Sequence, residues 1–282
     1  MKQRNLFYTL AIVWLLALLP IFPFYSNDRL NIPSDSSIRV MTYNLHFGQN
    51  FDGKYDIGGF KDVIKKQKPN IVSFQEVTYQ SPFNGYTTMF IELKSLMKSL
   101  GFDYFYTSEG YNYNLGNTVF SQYEITSTKT INYNDWNAWQ RNAVEVTINV
   151  NGNNVIVYST HLTHIPGGGT GEVRIKEVEQ LLKIVANHDL NSENIIMMGD
   201  FNIVPVDDDG NSNQEYLLII SQLDDAWVEA TSSGDGFTVP ADDPKKRIDY
   251  IFVSTQLNVT SCELYDSLAS DHLPVTCELV LG

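Results

Sequence analysis

Residues 142–161 read NAVEVTINVNGNNVIVYSTH, and this stretch indicates the class of fold. From Val144 to Val150 apolar side chains alternate with polar ones, which is the pattern of a half-buried β-strand. The turn Asn-Gly-Asn-Asn at residues 151–154 follows, and Val155 to Thr160 forms a second apolar run. Two strand-like runs separated by such a turn are typical of a β-hairpin. The stretch therefore predicts two antiparallel strands.

Helical and strand-like patterns alternate on both sides of this hairpin. Apolar residues recur at helical spacing at 57–64, 89–100 and 173–185. Further strand-like runs lie at 38–43, 71–74, 195–198, 248–253, 259–264 and 274–280. No second linker interrupts the series, so residues 38–282 are predicted to form one domain. Hairpins mixed with helices favour an α/β sandwich of mixed β-sheet covered by helices over a purely parallel sheet.

The composition is that of a folded, acidic protein. Of 282 residues, 43% are hydrophobic and 12% aromatic, which is enough apolar surface to exclude a disordered chain. There are 19 Lys and Arg against 33 Asp and Glu, a formal net charge of −14. Proteins that read nucleic-acid sequences gain affinity by neutralising phosphates with basic residues, so this charge disfavours such a partner. It remains compatible with an enzyme that approaches one phosphate through a metal ion.

The N-terminus differs from the rest of the chain. Lys2 and Arg4 precede an uncharged, largely apolar run from Leu6 to Tyr25. As a helix, a run of about 20 residues spans about 30 Å, the thickness of the hydrocarbon core of a bilayer. Residues 1–25 are therefore predicted to be an uncleaved membrane anchor, joined by a linker at 26–37 to a domain outside the cytoplasm. A cleaved signal peptide, which would give a secreted protein, is the alternative.

Polar residues that could bind a metal ion or take part in catalysis lie next to the predicted strands. They are Asn44, Glu76, His161, Asp200, Asn202, Asp249, Asp271 and His272. A side chain at a strand end is held rigidly at the border of a cleft formed by loops. One such residue is usually only a turn or a helix cap. Their recurrence along the whole domain indicates a shared site.

The donor types in this set favour a hard divalent cation. Carboxylates and amides dominate, only two imidazoles are present, and cysteine is absent from the set. This disfavours zinc and suits Mg²⁺ or Mn²⁺. Mg²⁺ takes one or two carboxylates and completes its coordination with water and substrate phosphate oxygens. The set therefore predicts a site for a phosphate ester, with Asp249 orienting the imidazole of His272.

Seven short motifs occur in a fixed order between residues 38 and 280. They are MTYN at 41–44, SFQEV at 73–77, GNTVFS at 116–121, STHL at 159–162, MGDFN at 198–202, RIDYIFV at 247–253 and SDHLPV at 270–275. With these motifs the chain resembles the endonuclease/exonuclease/phosphatase superfamily of DNase I-like, metal-dependent phosphohydrolases. The resemblance implies a four-layer DNase I-like sandwich, with two packed mixed β-sheets flanked by helices, and hydrolysis of a phosphate ester.

The resemblance also implies a metal site. Glu76 is similar to the principal Mg²⁺ ligand of the superfamily, and Asp271 and Asn44 would lie close to the metal. Mn²⁺ is the alternative ion.

A general base is implied as well. His272, oriented by Asp249, would take a proton from the attacking water. Asp200 would position that water, and it is the alternative base. A histidine suits this task at neutral pH, because its unperturbed pKa is about 6.5.

Four further residues are implied to contact the substrate. Asn202 and His161 would hold phosphoryl oxygens while negative charge builds in the transition state. Arg141 would contact a phosphate, and Asn117 of the GNTVFS motif would bind the substrate as well.

The expected function is Mg²⁺-dependent hydrolysis of a phosphodiester or phosphomonoester. An anchored, outward-facing, acidic domain suits a lipid or other membrane-associated head group, with GPI-type lipids as one candidate. An extracellular DNase I-like nuclease is the alternative, and a catalytically inactive module that binds head groups is a third possibility. The sequence indicates no oligomeric state.

Other features leave alternatives open. Cys262 and Cys277 lie in neighbouring strand-like runs, so they would form a disulfide if these strands pair antiparallel and remain free thiols otherwise. The acidic run at 207–209 is either a solvated loop or a structural Ca²⁺ site. The basic run at 245–247 either grips a phosphate or lies exposed. No role is predicted for His46, His164 and His188.

Overall fold

The computed structural model describes residues 28–33, 36–79, 81–108, 116–134, 141–164, 172–207 and 209–282. Its strands are β1 (Ser37–Asn44), β2 (Ile71–Val77), β3 (Tyr104–Thr107), β4 (Gly116–Ser121), β5 (Glu124–Asn132), β6 (Asn142–Val150), β7 (Asn153–His161), β8 (Asn194–Asp200), β9 (Asp224–Asp225), β10 (Asp249–Val253), β11 (Asn258–Leu264) and β12 (Val275–Val280). Its α-helices are α1 (Ile57–Gln67), α2 (Met89–Ser99), α3 (Glu172–Val185), α4 (Gln214–Ile220) and α5 (Ala226–Glu229).

The strands form two six-stranded mixed sheets. The first has the order β11-β12-β1-β2-β4-β3, and the second has the order β5-β6-β7-β8-β10-β9. In the first sheet β1 runs parallel to β2 and antiparallel to β12. In the second sheet β6 and β7 form the hairpin that the sequence predicts, while β7 runs parallel to β8 and β10 antiparallel to it. Both sheets therefore combine parallel and antiparallel pairs.

Three apolar clusters hold the layers together. Between the sheets, Val40 of the first sheet belongs to the same buried cluster as Val146 and Ile196 of the second. On the outer face of the first sheet, Phe60 of α1 and the apolar side of α2 pack on the strands. On the outer face of the second, Leu182 of α3 and residues of α4 do the same. The expected four-layer sandwich of two packed mixed sheets flanked by helices is confirmed.

Helix α1 shows how local sequence signals set the element boundaries. The side chain of Asp56 accepts hydrogen bonds from the backbone N–H groups of Gly58 and Gly59, at 2.9 and 3.3 Å, which caps the first turn. The helix ends at Gln67, and the next residue, Lys68, has a left-handed backbone with φ of 49°. Pro69 follows and cannot continue a helix.

The predicted disulfide is present. The Sγ atoms of Cys262 and Cys277 are bonded, and the two residues face each other in the antiparallel ladder of β11 and β12. Direct cross-strand pairing brings the two side chains together, so the expectation of a bridge between paired antiparallel strands is confirmed.

The predicted membrane anchor at residues 1–25 lies outside the described residues, as does part of the predicted linker at 26–37. Within the ranges that the structure describes, no helix is long and apolar enough to cross a membrane.

Candidate active site

Strand ends from both sheets meet at one edge of the sandwich. Asp200, the last residue of β8, lies opposite His161 of β7 and Asp249 of β10. Asn44 ends β1 of the other sheet, and its Nδ2 donates to Asp200 Oδ2 at 3.0 Å. All four residues are buried. Because this hydrogen bond crosses from one sheet to the other, residues from four separate motifs form one group.

Gly199 permits the close approach of β7 and β8 beside this group. Its φ is +154°, and a Cβ built on it would lie 1.9 Å from the carbonyl oxygen of Thr160. Thr160 is the residue opposite Gly199 in the ladder. Any side chain at this position would push the two strands apart, so the glycine of the MGDFN motif allows His161 and Asp200 to meet.

His272 and Asp249 form a buried imidazole–carboxylate pair. His272 Nδ1 lies 2.8 Å from Asp249 Oδ2, and the other ring nitrogen, Nε2, lies 3.9 Å from Asp200 Oδ2. The loop that carries His272 is held by Ser270, whose hydroxyl donates to the carbonyl oxygen of Asn44 at 2.7 Å. The carboxylate of Asp249 thereby orients the ring, as the sequence predicts, with Nε2 directed towards Asp200.

The surrounding carboxylates favour the protonated form of this imidazole. Burial alone would lower the pKa of His272, but the charge and hydrogen bond of Asp249, with the charges of Asp200 and Asp271, raise it to about 10. A general base must be neutral before it can accept a proton. A cation close to the same carboxylates would counter their charge and favour the neutral ring.

Asp200 is the centre of the polar network. Its Oδ2 accepts from Asn44 and lies 3.3 Å from His161 Nε2, and its Oδ1 accepts from the backbone N–H of Asn202 at 2.9 Å. Burial and the charge of Asp249 raise the pKa of Asp200 to about 6, although the other contacts act in the opposite direction. Asp200 is therefore held in one orientation by donors from both sheets.

Glu76 reaches the site through an irregularity in β2. The pairing of β2 with β4 shifts register between Phe74 and Val77, and Glu76 has a positive φ of 57°. Such irregularities redirect a side chain at the end of a strand. Burial, reinforced by the charge of Asp271, raises the pKa of Glu76 to about 7. The two carboxylates are thus close enough to repel each other.

This repulsion tests the predicted metal site. A cation held by Glu76 and Asp271 would replace the repulsion between them with attraction to a shared ion, so the donor set fits a hard divalent ion. Asn44, the third predicted ligand, accepts at Oδ1 from the backbone N–H of His46 at 3.0 Å and retains a second lone pair there. His46 Nδ1 also lies 3.6 Å from Asp271 Oδ1, so this histidine borders the site.

Asp200, Asp249 and His272 form a second group of possible ligands. Their ligand atoms all lie within 4.8 Å of one another. However, His272 Nδ1 and Asp249 Oδ2 already bind each other, which leaves these two atoms engaged. The geometry of this group therefore suits proton transfer better than metal binding, and the predicted ligands remain Glu76, Asp271 and Asn44.

His161 is buried beside Asp200. Burial, with the positive charge of Arg141 and the presence of His272 and His164, lowers the pKa of His161 well below its usual value. A neutral ring has one N–H, and Nε2 lies 3.3 Å from the carboxylate of Asp200. His161 is therefore in contact with Asp200 through Nε2 before any phosphoryl oxygen arrives.

His164 belongs to the site, although the sequence alone predicts no role for it. Its Nδ1 lies 3.2 Å from Asn202 Oδ1, while Asn202 Nδ2 donates to the carbonyl oxygen of Leu162 at 3.1 Å. The loop between them is anchored by the buried Glu177, which accepts from the backbone N–H and the hydroxyl of Thr163 at 2.8 and 2.6 Å. The position of His164 three residues after His161, beyond the end of β7, is the signal that could have found it.

The two predicted substrate-binding residues, Arg141 and Asn117, have different surroundings in the structure. Arg141 is buried at the start of β6, and its charge affects the pKa values of both Glu76 and His161. Asn117 of β4 uses its Nδ2 to bind the backbone oxygen and the side-chain Oδ1 of Asn142, at 2.8 and 3.0 Å. Arg141 thus acts on the site electrostatically, while Asn117 joins the two sheets behind it.

The two charged loops have structural explanations. Arg247 is buried, and its Nη2 lies 2.9 Å from Asp225 Oδ2, so both expectations for the basic run are wrong at this residue. Asp207 Oδ1 accepts from the backbone N–H groups of Asp209 and Asn211, at 3.1 and 2.7 Å, and these hydrogen bonds close the acidic loop. The remaining acidic residue of that run, at position 208, lies outside the described residues.

A carboxylate-rich edge shared by two mixed sheets, with a buried His–Asp pair, defines a hydrolase of phosphate esters. The comparison with known families agrees. The Endonuclease/Exonuclease/phosphatase family matches residues 41–272, and the chain belongs to this family of phosphoester hydrolases. No curated protein matches the sequence.

Solved structures with the same fold come from distant relatives. An endonuclease/exonuclease/phosphatase from Beutenbergia cavernae is 24% identical, with 88% of this chain and 72% of that chain covered and a TM-score of 0.71. A mannosyl-6-phosphatase from Bacteroides thetaiotaomicron is 18% identical, with 86% and 100% covered and a TM-score of 0.64. A humanized TDP2 of D. rerio is 15% identical, with 87% and 99% covered and a TM-score of 0.66.

Proposed function

We propose that the protein is a Mg²⁺-dependent phosphodiesterase or phosphatase, with Mn²⁺ as an alternative ion. One observation carries this proposal: donors from both sheets meet at Asp200, with the His272–Asp249 pair beside it and Glu76 and Asp271 at the same edge. Such an arrangement offers a cation site and a proton acceptor to the same phosphate.

Each part of the site has a distinct task in this proposal. Glu76 and Asp271, with Asn44 beside them, would hold the metal ion, which supplies Lewis-acid stabilisation of charge on the phosphoryl oxygens when bound. His272 Nε2 accepts the proton of the attacking water, and Asp249 holds the ring at Nδ1. Asp200 orients that water and is the alternative base.

The remaining residues act on the phosphoryl group. Asn202 and Arg141 stabilise the negative charge that builds on its oxygens in the transition state. His161 holds a phosphoryl oxygen beside them, and its contact with Asp200 keeps its imidazole ring in position. Asn117 contributes by fixing Asn142, the neighbour of Arg141, across the sheet interface.

For the substrate we propose a membrane-associated head group carrying a phosphate ester, such as that of a phospholipid or a GPI-type lipid. The apolar run at residues 6–25 would anchor the chain, with the catalytic domain outside the cytoplasm. A formal net charge of −14 supports a small phosphate ester over a long polyanion. The mannosyl-6-phosphatase is an example of this fold acting, by its name, on a phosphorylated sugar.

The test uses the full chain in detergent with Mg²⁺ and a panel of substrates. These are bis(p-nitrophenyl) phosphate, vesicles containing sphingomyelin or phosphoinositide, and plasmid DNA. We expect hydrolysis of the first two classes, abolished by EDTA. His272→Ala and Asp200→Ala should each lower kcat at least about 100-fold with the fold intact. His188→Ala is the matched control, because this histidine contacts Glu193, which precedes β8 at the end opposite to Asp200.

The outcomes separate the alternatives. Rapid nicking of plasmid DNA at physiological salt would replace the lipid substrate with a nuclease function. Binding of vesicles without hydrolysis of any ester would indicate the inactive binding module. Turnover like that of the wild type in His272→Ala or Asp200→Ala would refute the mechanism. Release of the full chain from cell membranes by alkaline carbonate would refute the anchor.

A further inference from the structure

The guanidinium group of Arg247 is rigidly held behind the active site. Its Nη2 lies 2.9 Å from Asp225 Oδ2, and its Nη1 donates to Asp225 Oδ1 at 3.3 Å. Its Cζ lies 4.9 Å from the ring centroid of Tyr250. A guanidinium bound to both oxygens of a carboxylate and stacked on an aromatic ring has little rotational freedom. The direction of its third nitrogen, Nε, is therefore set as well.

A small cavity borders both Arg247 and Asp249, the carboxylate of the catalytic pair. Its volume is about 10 Å³, and its walls include Arg247, Asp249, Trp227 and Gly236. Among the described residues, neither Arg247 Nε nor Asp249 Oδ1 has a hydrogen-bond partner, although both atoms are buried. One is a donor and the other is an acceptor. A buried polar atom without a partner is costly, and a cavity of this size that borders an unpaired donor and an unpaired acceptor has room for about one water molecule.

We propose that one buried water molecule fills this cavity, accepts from Arg247 Nε and donates to Asp249 Oδ1. Asp249 Oδ2 is the atom that binds His272 Nδ1. A hydrogen bond at Oδ1 fixes the plane of the carboxylate, and that plane sets the direction of the imidazole. Arg247 is thereby a positioning residue for His272, and this consequence for turnover rests on the proposed function.

Gly236 gives a way to disturb this link without touching any of its polar groups. Its φ is +69°, and an added Cβ would lie 2.8 Å from Arg247 Cδ and 2.9 Å from Trp227 Cε2. Gly234 has a similar φ of +81°, and an added Cβ there would meet no atom within 4 Å. Gly236→Ala and Gly234→Ala therefore share the backbone strain, and only Gly236→Ala displaces the guanidinium.

The kinetic experiment compares these variants of the full chain with bis(p-nitrophenyl) phosphate and Mg²⁺, with rates expressed per folded protein. We expect Gly234→Ala to retain kcat within about twofold. Gly236→Ala should lower kcat about 10- to 100-fold, the usual effect of losing a residue that orients a catalytic or ligating histidine, while KM changes less than about twofold. Arg247→Lys, which keeps the charge opposite Asp225 but lacks Nε, is the second variant and should behave as Gly236→Ala does.

Two measurements do not depend on activity. A high-resolution crystal structure of the wild type should show an ordered water within hydrogen-bond distance of both Arg247 Nε and Asp249 Oδ1. The proton resonance of His272 Nδ1–H, assigned by its loss in His272→Ala, should shift in Gly236→Ala and Arg247→Lys but not in Gly234→Ala. If the wild type hydrolyses no ester, the proposed function fails, and these two measurements still decide the inference.

Two results would overturn it. The first is a crystal structure in which no water bridges the two atoms. The second is an unshifted His272 resonance together with a kcat like that of the wild type in both Gly236→Ala and Arg247→Lys.

Discussion

Replacement of Asp200 by asparagine should stabilise the metal-free protein while it removes activity. Asp200 is buried, and its pKa is raised to about 6 from an ordinary value near 3.8. A raised pKa means that the folded state favours the protonated carboxyl. Stability is therefore lost as the pH rises from about 4, where the unfolded chain ionises, to about 6, where the folded protein ionises. Asparagine resembles the protonated form and escapes this loss.

The magnitude follows from the shift and the local contacts. About two pKa units correspond to about 3 kcal/mol of destabilisation above pH 7. The amide group of asparagine can accept from Asn44 and His161 with its oxygen, but its NH₂ group would then face the backbone N–H of Asn202. Losing that hydrogen bond costs about 1 kcal/mol. The expected net gain is about 2 kcal/mol at pH 8, and linkage reduces it by about 1 kcal/mol at pH 5.

The assay is urea-induced unfolding of the full chain in EDTA at pH 8 and pH 5. Asp207→Asn is the matched control, because hydrogen bonds from Asn211 and its neighbours lower the pKa of Asp207, and neutralising it should not stabilise the protein. The reasoning would be refuted if Asp200→Asn were no more stable than the wild type at pH 8, or if its gain were the same at both pH values.

Three further experiments test separate parts of the structure. Gly199→Ala should abolish the yield of soluble protein, because its Cβ would lie 1.9 Å from the carbonyl oxygen of Thr160. Gly210→Ala is the control, since the space around its Cβ is open and it should express normally. Equal yields of the two variants would contradict this prediction. His164→Ala should lower kcat about tenfold without changing the melting temperature, because Asn202 Oδ1 loses its partner. An unchanged kcat would argue against a role of His164 in positioning Asn202. Mg²⁺ should raise the melting temperature, reversibly by EDTA, and more at pH 8 than at pH 5, because the predicted ligand Glu76 has a pKa of about 7 and must ionise to bind the ion. Equal shifts at the two pH values would exclude Glu76 as the cause.

Periodicity in the sequence was sufficient to predict most of the fold. Strong signals such as the Asn-Gly turn between β6 and β7 coincide with the observed ladder. Strand β5 has no such signal, because its residues 126–129 are polar and exposed in an edge strand of the second sheet. Helix α4 has only seven residues, too few for a clear helical period, and Asn213 caps it through a bond to the backbone of Glu215. Strands and helices that depend on long-range packing or on a single capping residue show little hydrophobic periodicity in the sequence.

The site was predictable where a motif carries its chemistry, and less so where the contacts are made in space. Asp249, Asp200 and His272 come together as their motifs imply. The contact of His164 with Asn202 depends on the path of a loop that no local pattern specifies. Arg247 lies in a basic run and looks exposed in the sequence, yet its ion pair with Asp225 is buried. A charge pattern along the chain cannot reveal which partner a distant segment supplies.

The active site depends on how the two sheets are placed relative to each other, and buried polar contacts fix that placement. A large apolar cluster fills the space between the sheets, and apolar side chains alone tolerate small sliding movements. Among the described residues, buried side chains bond across it at Asn44 to Asp200, Asn117 to Asn142, and Ser73 Oγ to Ser159 Oγ at 2.5 Å. The partly buried pair of Tyr106 and Thr130 crosses it as well. A slide that separated any of the buried pairs would leave buried polar groups unsatisfied, at about 1 to 3 kcal/mol each. The cost restricts the sandwich to the one arrangement in which the strand ends of both sheets reach the same phosphate.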